Sequence, residues 1–300
     1  MTRLEIALTR LSRLTFEEAT LLWNEGFTGY YTEMNRTLAQ QLDNWSAVGV
    51  RPELSAVAKI GGKPVGFVLT AVRSIEEGRL TAWNAGTGVA PPYRGIGVGK
   101  ALMDETVRIY REVGVHTAYL EAIISNSPAV ALYRGCGFQI RDRLICYECK
   151  QPSDGPLFLR GEHAGPYRTI CVTPREAGRL PFYAHNAAWC SQWPNIGHGE
   201  AMLALDGYGN VAGYALFNRA YAANDKLTEI RLLQAETDPG RTDRDEAARF
   251  LIAELFADGG SALVGLTAEN IPASNAHVNR QLLEAGFTPF LEQFLMVRQA

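Results

Sequence analysis

Val89-Ala90-Pro91-Pro92-Tyr93-Arg94-Gly95-Ile96-Gly97-Val98-Gly99-Lys100 is the stretch on which the fold turns. Residues 80–89 read as a strand. Pro91-Pro92 ends it, because neither proline can donate to a ladder. Downstream, Val98, Leu102, Thr106, Ile109 and Val113 recur at helical spacing until Gly114 stops the helix. The turn between carries glycine at alternate positions, which lets the backbone bend sharply and approach a ligand closely. The first N–H groups of the new helix lack intrahelical partners, and its dipole adds partial positive charge. Arg94 and Lys100 add full charges. Such a strand–turn–helix is an anion site, and a pyrophosphate suits it. A dinucleotide site would show G-x-G-x-x-G after its first strand, with an acidic residue about twenty positions on. Here the spacing is G-x-G-x-G, the turn follows the third strand, and Glu121 lies on the next one.

The elements around this turn follow from local chemistry. Thr15-Phe16-Glu17-Glu18 is a capping box, with Thr15 as N-cap and Glu18 at N3. The first half thus begins with helical patterning: Leu21, Leu22, Trp23, Phe27, Tyr30 and Tyr31, then a second helical stretch at 37–45. Strands at 54–60 and 65–72 flank Gly61-Gly62-Lys63-Pro64, a tight-turn signal. Residues 117–124 alternate as a strand, Asn126-Ser127-Pro128 opens a short helix with proline in its first turn, and residues 139–149 return as a final strand.

Two patterns now converge. Arg94-Gly95-Ile96-Gly97-Val98-Gly99 resembles the R/Q-x-x-G-x-G/A motif of the GNAT acetyltransferase superfamily. Asn126, Ala129, Leu132-Tyr133 and Gly137-Phe138 are similar in order and spacing to that superfamily's second hallmark. The resemblance covers residues ~50–150. It implies an α/β fold with a mixed, mostly antiparallel sheet, flanking helices and one parallel β-α-β crossover, splayed between the strands on either side of the glycine turn. Acetyl-CoA would lie in the splay as co-substrate. Its pantetheine arm would pair with backbone near Val89 and contact Asn126, and its pyrophosphate would rest on Arg94, Gly95, Ile96, Gly97, Val98, Gly99 and Lys100.

Amine acetylation needs a neutral amine, an oxyanion donor and a proton for the departing thiolate. By the resemblance, Tyr133 is the acid and Glu121 the base. Tyr30, Tyr31 and Asn84 are expected to touch the acceptor, with Glu25 and Glu33 drawing in a cation. The aromatic run at 23–31 also reads as core. Cys136, at a helix C-terminus, sits where the dipole disfavours a thiolate, so no acyl-cysteine is expected.

The remaining sequence sets the broader bounds. The 300 residues suit two domains, 1–150 and 151–300, divided by the breaker-rich Gln151-Pro152-Ser153-Asp154-Gly155-Pro156. Val65-Gly66-Phe67 is echoed by Ala212-Gly213-Tyr214, Gly137-Phe138 by Gly286-Phe287, and Asn126 by Asn275. We read a tandem repeat of one domain type. In the second copy residues 237–246 hold the place of the glycine turn with one glycine and four carboxylates, Asp238, Asp243, Asp245 and Glu246. Carboxylates repel a pyrophosphate, so that copy is expected to be degenerate. The net charge of −3 predicts no nucleic-acid partner. No stretch of ~20 apolar residues predicts a membrane span, and five cysteines at irregular spacing predict neither a disulfide framework nor a metal site. The expectation is a cytoplasmic enzyme acting on a small-molecule amine, with a protein N-terminal or lysine acetyltransferase and a non-catalytic acyl-CoA sensor as alternatives and the oligomeric state left open.

Overall fold

The computed structural model describes residues 5–76, 79–150, 166–196, 199–257 and 264–299. The breaker-rich segment at 151–156 lies outside them. The chain forms two compact units: Met1–Arg141 with Leu295–Ala300, and Asp142–Phe294. Both are α/β, with mostly antiparallel strands and one parallel strand pair each.

The first unit runs β1 (Ala7–Arg10), α1 (Phe16–Gly26), α2 (Leu38–Val48), β2 (Ala56–Ile60), β3 (Lys63–Glu76), β4 (Arg79–Val89), α3 (Val98–Glu112), β5 (Val115–Ile123) and α4 (Ser127–Gly135). A strand therefore precedes the first helix, and the glycine turn follows the fourth strand rather than the third. β1 carries only Ala7 and Leu8 as aliphatic side chains, both exposed, so it leaves little hydrophobic pattern to read. α1 starts at the expected capping box, Thr15 with Glu18. α2 starts at a second one, Thr37 with Gln40, and closes on Gly49 in the left-handed region (φ 75°). The inward face of α1 packs Leu22, Trp23 and Phe27 on Val57, Phe67 and Leu69 of the sheet.

β4 and β5 are parallel, and their pairing ends at Trp83↔Tyr119. Both strands run on beyond that point, so the sheet opens into the expected splay. β4 also carries a bulge: Leu69 faces Gly86 while Thr70 faces Asn84. A bulge turns the strand and re-aims the side chains beyond it.

The second unit uses β6 (Gln139–Cys149) from Asp142 onward, then β7 (Arg168–Val172), α5 (Pro174–Ala177), β8 (Glu200–Leu205), β9 (Val211–Tyr221), β10 (Leu227–Thr237), α6 (Arg244–Phe256), β11 (Gly265–Pro272), α7 (Ala276–Glu284) and β12 (Thr288–Gln299) up to Phe294. It repeats the first unit in detail. β10 and β11 are parallel and part after Leu232↔Ala268. A bulge again follows, with Leu216 facing Gln234 and Phe217 facing Leu232. Asn275 caps α7 as Asn126 caps α4, each accepting from the amide three residues on at 3.3 Å. The unit boundary runs through β6, not after it, and the last strand residues, from Leu295, belong to the first unit. There Thr117 donates to Gln299 at 2.9 Å.

Candidate functional site

The turn between β4 and α3 has the geometry an anion site needs. Gly95 and Gly97 adopt φ of 76° and 96°, which other L-residues rarely reach. A Cβ at either would meet nothing within 4 Å, so the space before the turn is open. Gly97 is the N-cap of α3, leaving the amides of Val98, Gly99 and Lys100 without helical carbonyls to bond. A Cβ at Gly99 would press on Leu132 at 3.3 Å, so glycine there lets α3 approach α4.

The two cations have structural partners. Arg94 donates to three carbonyls, Val89 (2.8 Å), Gly26 (3.1 Å) and Thr28 (2.8 Å), lashing the turn to the end of α1. Lys100 pairs with Asp104 one turn on, at 2.5 Å. Arg94 therefore acts first on the shape of the loop, whereas the Lys100 pair is an exposed one along α3. The backbone amides carry the anion preference.

Tyr133 is buried, its hydroxyl within hydrogen-bonding reach of Thr87 just past the bulge. Burial pushes its pKa up to about 12, with Thr87 opposing, so the phenol keeps its proton throughout the neutral range. Tyr30 is half-buried and reaches Asn126; burial raises its pKa and Asn126 opposes. Tyr31, exposed, donates to the Ser125 carbonyl at 3.3 Å. The loop after α1 is thus tied to the turn between β5 and α4, and Tyr30, Asn126, Thr87 and Tyr133 gather at one end of the splay. Trp23 and Phe27 belong to the core instead.

Glu121 lies on β5 past the last β4–β5 pair. Trp83 Nε1 donates to its carboxylate at 2.5 Å, which fixes its direction within the splay. Asn84, expected at the acceptor, has its amide engaged within the protein. It is buried, donates to Thr87 Oγ1 at 2.9 Å, and accepts from the Gly86 amide at 3.1 Å, so its amide closes the bulge. Glu25 pairs with Lys63 at 3.5 Å, and Glu33 accepts from the Asn35 amide at 2.9 Å. Burial, then Asp104, pushes the Cys136 thiol up, away from the thiolate. Sequence reasoning missed Thr87 and Trp83. The available signal was Gly86-Thr87-Gly88, since a glycine inside a strand marks a bulge or a close approach.

In the second unit the place of the glycine turn is a knot of ion pairs. Arg241 holds Asp206 (2.9 Å) and Asp243 (2.7 Å), and Tyr167 donates to Asp243. Asp245 is held by Arg280 and His277.

Residues 16–138 match the Acetyltransferase (GNAT) family. The splayed sheet and the glycine turn of the first unit agree with this match, which identifies residues 16–138 as a GNAT acetyltransferase domain. Among similar proteins, the mycothiol acetyltransferase of Pseudarthrobacter chlorophenolicus is 40% identical over 60 residues, covering 20% of this chain and 19% of that protein. The N-alpha-acetyltransferase of Sulfurisphaera tokodaii is 28% identical over 95 residues, covering 28% of this chain and 54% of that protein. The chain thus spans about half or less of the length of these relatives. A tandem GNAT protein from the clavulanic acid biosynthesis pathway shares the fold over 98% of both chains, with a TM-score of 0.66 at 14% identity.

Proposed function

We propose that this chain transfers an acetyl group from acetyl-CoA to the primary amine of a small molecule, using its first unit. The observation that carries the reading is the open glycine turn beside an unpaired splay with a protonated tyrosine at its end. The amides of residues 95–100 would hold the pyrophosphate, and Asn126 and the β4 backbone near Val89 the pantetheine arm. When bound, the coenzyme supplies the activated acyl group and the thiolate leaving group.

The side chains divide the remaining work. Glu121 takes the proton from the attacking amine, and its bond from Trp83 keeps the carboxylate aimed. Tyr133 donates toward the sulfur. Its reluctance to ionise means that its hydrogen bond stabilises growing negative charge before any full transfer. Holding both reactants in one cleft supplies much of the remaining rate.

A small acceptor is favoured by the ties from Tyr30 and Tyr31 to the β5–α4 turn, which narrow the acceptor side against an extended peptide. The second reading is acetylation of a protein N-terminus, in keeping with the N-alpha-acetyltransferase among the relatives. Thiol release from acetyl-CoA by the full chain, measured with a panel of small amines and of peptides with free N-termini, separates them. Turnover with a small amine and none with peptides is expected. Turnover with peptides alone overturns the acceptor class. Coenzyme binding without turnover on any acceptor makes the protein an acyl-CoA sensor instead.

A further inference from the structure

The second unit lacks a glycine turn, yet it keeps a cleft at the matching end of its own splay. This cleft has a volume of about 210 Å³. Among its lining residues are Glu236 from β10, Arg244 from α6, Asn275 and His277 from the start of α7, and Asp142 from β6. Its size suits a molecule smaller than a drug-like ligand.

The first unit has no such side chain at the matching position. Val89 pairs with Gly66 and Thr237 with Gly213, so Glu236 corresponds to Gly88. A Cβ at Gly88 would lie 2.6 Å from Phe67 and 3.2 Å from Gly26. The first unit fills that space with core. The second leaves it open and places a carboxyl in it.

Arg244 and Glu236 share this cleft without joining, while Asp142, the other carboxylate in its lining, accepts from the Ser274 hydroxyl and the Arg143 amide. Arg244 is anchored through Nε, which donates to the buried Thr237 hydroxyl at 3.0 Å. Among the described residues its outer nitrogens meet no carboxylate within ion-pair distance, and Glu236 meets no cation within that distance. Glu236 is held by its strand, and among the described residues the Asn275 amide is the group that hydrogen-bonds its carboxyl. Burial outweighs the pull of Arg244 and Asn275, so the carboxyl titrates at about 7. Asn275 is itself fixed, donating to the Ala235 carbonyl at 2.8 Å. A buried charge without a partner is costly. A guanidinium and a carboxyl held apart across an empty space fit a ligand of the reverse polarity. The dipole of α7 leans the same way as Arg244, toward an anion, although its Ala276 and Val278 amides are already bonded to the Ser274 carbonyl and the Asn275 side chain.

We propose that this cleft binds a free α-amino acid, its carboxylate on Arg244 and its ammonium on Glu236. The site goes beyond the acetyl-transfer reading, because it uses no residue of the first unit.

Calorimetric titration of the full chain with each common proteinogenic α-amino acid tests it. Controls are the carboxamide, which lacks the carboxylate, and the N-acetyl derivative, which lacks the ammonium. At least one amino acid should bind with Kd below about 1 mM. Both derivatives should bind at least about tenfold more weakly, and so should that amino acid to Glu236→Gln and Arg244→Met. Glu236→Gln removes a half-buried charge without changing shape, so folding is not at stake in that variant. Acetyl-CoA affinity should be the same in parent and variants. The proposal fails if no amino acid binds the parent, if a singly charged derivative binds as tightly, or if both variants bind like the parent.

Discussion

Tyr133 shows how burial sets a residue's chemical role. Its pKa of about 12 lies above the ordinary phenol value, so the folded protein resists its ionisation. The stability tied to this group is fully present below pH 10 and is lost between about pH 10 and 12. An alkaline fall in kcat/KM between pH 7 and 9 would therefore belong to another group. Tyr133→Phe should lower kcat by about 10²–10⁴-fold while leaving the Kd for acetyl-CoA nearly unchanged. Equal losses in both would remove the acid role. Glu236 is the opposite case, a carboxyl burdened by burial at neutral pH, with Arg244 and Asn275 relieving it in part and Tyr214 of β9 close enough to feel its charge. Its raised pKa means that its contribution is fully present below pH 4.5 and is lost as pH rises through 7. Glu236→Gln should thus melt at a higher temperature than the parent at pH 8 and at the same temperature at pH 4. An unchanged difference across that range would contradict the assignment.

Elements whose ends carry their own chemistry could be read from sequence. Thr15 with Glu18, Asn126 with Pro128, and the glycine turn into α3 all stand where local rules put them: the first two helices are capped by side chains a few residues from the amides they satisfy, and the third starts on a glycine whose backbone conformation needs no distant partner. β1 could not be read, since its partner β2 lies more than forty residues on and its aliphatic side chains are exposed. The bulge in β4 was equally hidden: its consequence, Thr87 aimed at Tyr133, depends on pairing with β3. The ties of Arg94 were hidden for the same reason, because the carbonyls of Gly26 and Thr28 reach it only through the fold. Lysine presents one charged point where arginine spans several acceptors. Arg94→Lys should therefore lower the melting temperature and weaken acetyl-CoA binding by a factor that added salt barely changes. A strongly salt-dependent loss would return Arg94 to direct phosphate contact.

At the scale of the molecule, the repeat was legible as Gly66 with Gly213 and Asn126 with Asn275, and the structure gives each copy the same splay, bulge and cap. The membership of residues 295–300 in the first unit was not legible, since strand registry between distant segments leaves no local pattern. Met296 is fully buried there, so Met296→Ala should cost roughly 2–5 kcal/mol. Hydrogen exchange should report the loss in β5. Protection unchanged in β5 would mean that the strand end does not support that sheet. The central claim is that the turn at residues 95–100, and not its ion-paired counterpart at 237–246, grips the coenzyme. Calorimetric titration of acetyl-CoA into the parent and into Gly97→Val tests it most directly. We expect one coenzyme per chain in the parent and no measurable binding in the variant, where a β-branched residue cannot hold the left-handed backbone. Two coenzymes per chain, none at all, or equal affinity in both proteins would contradict it.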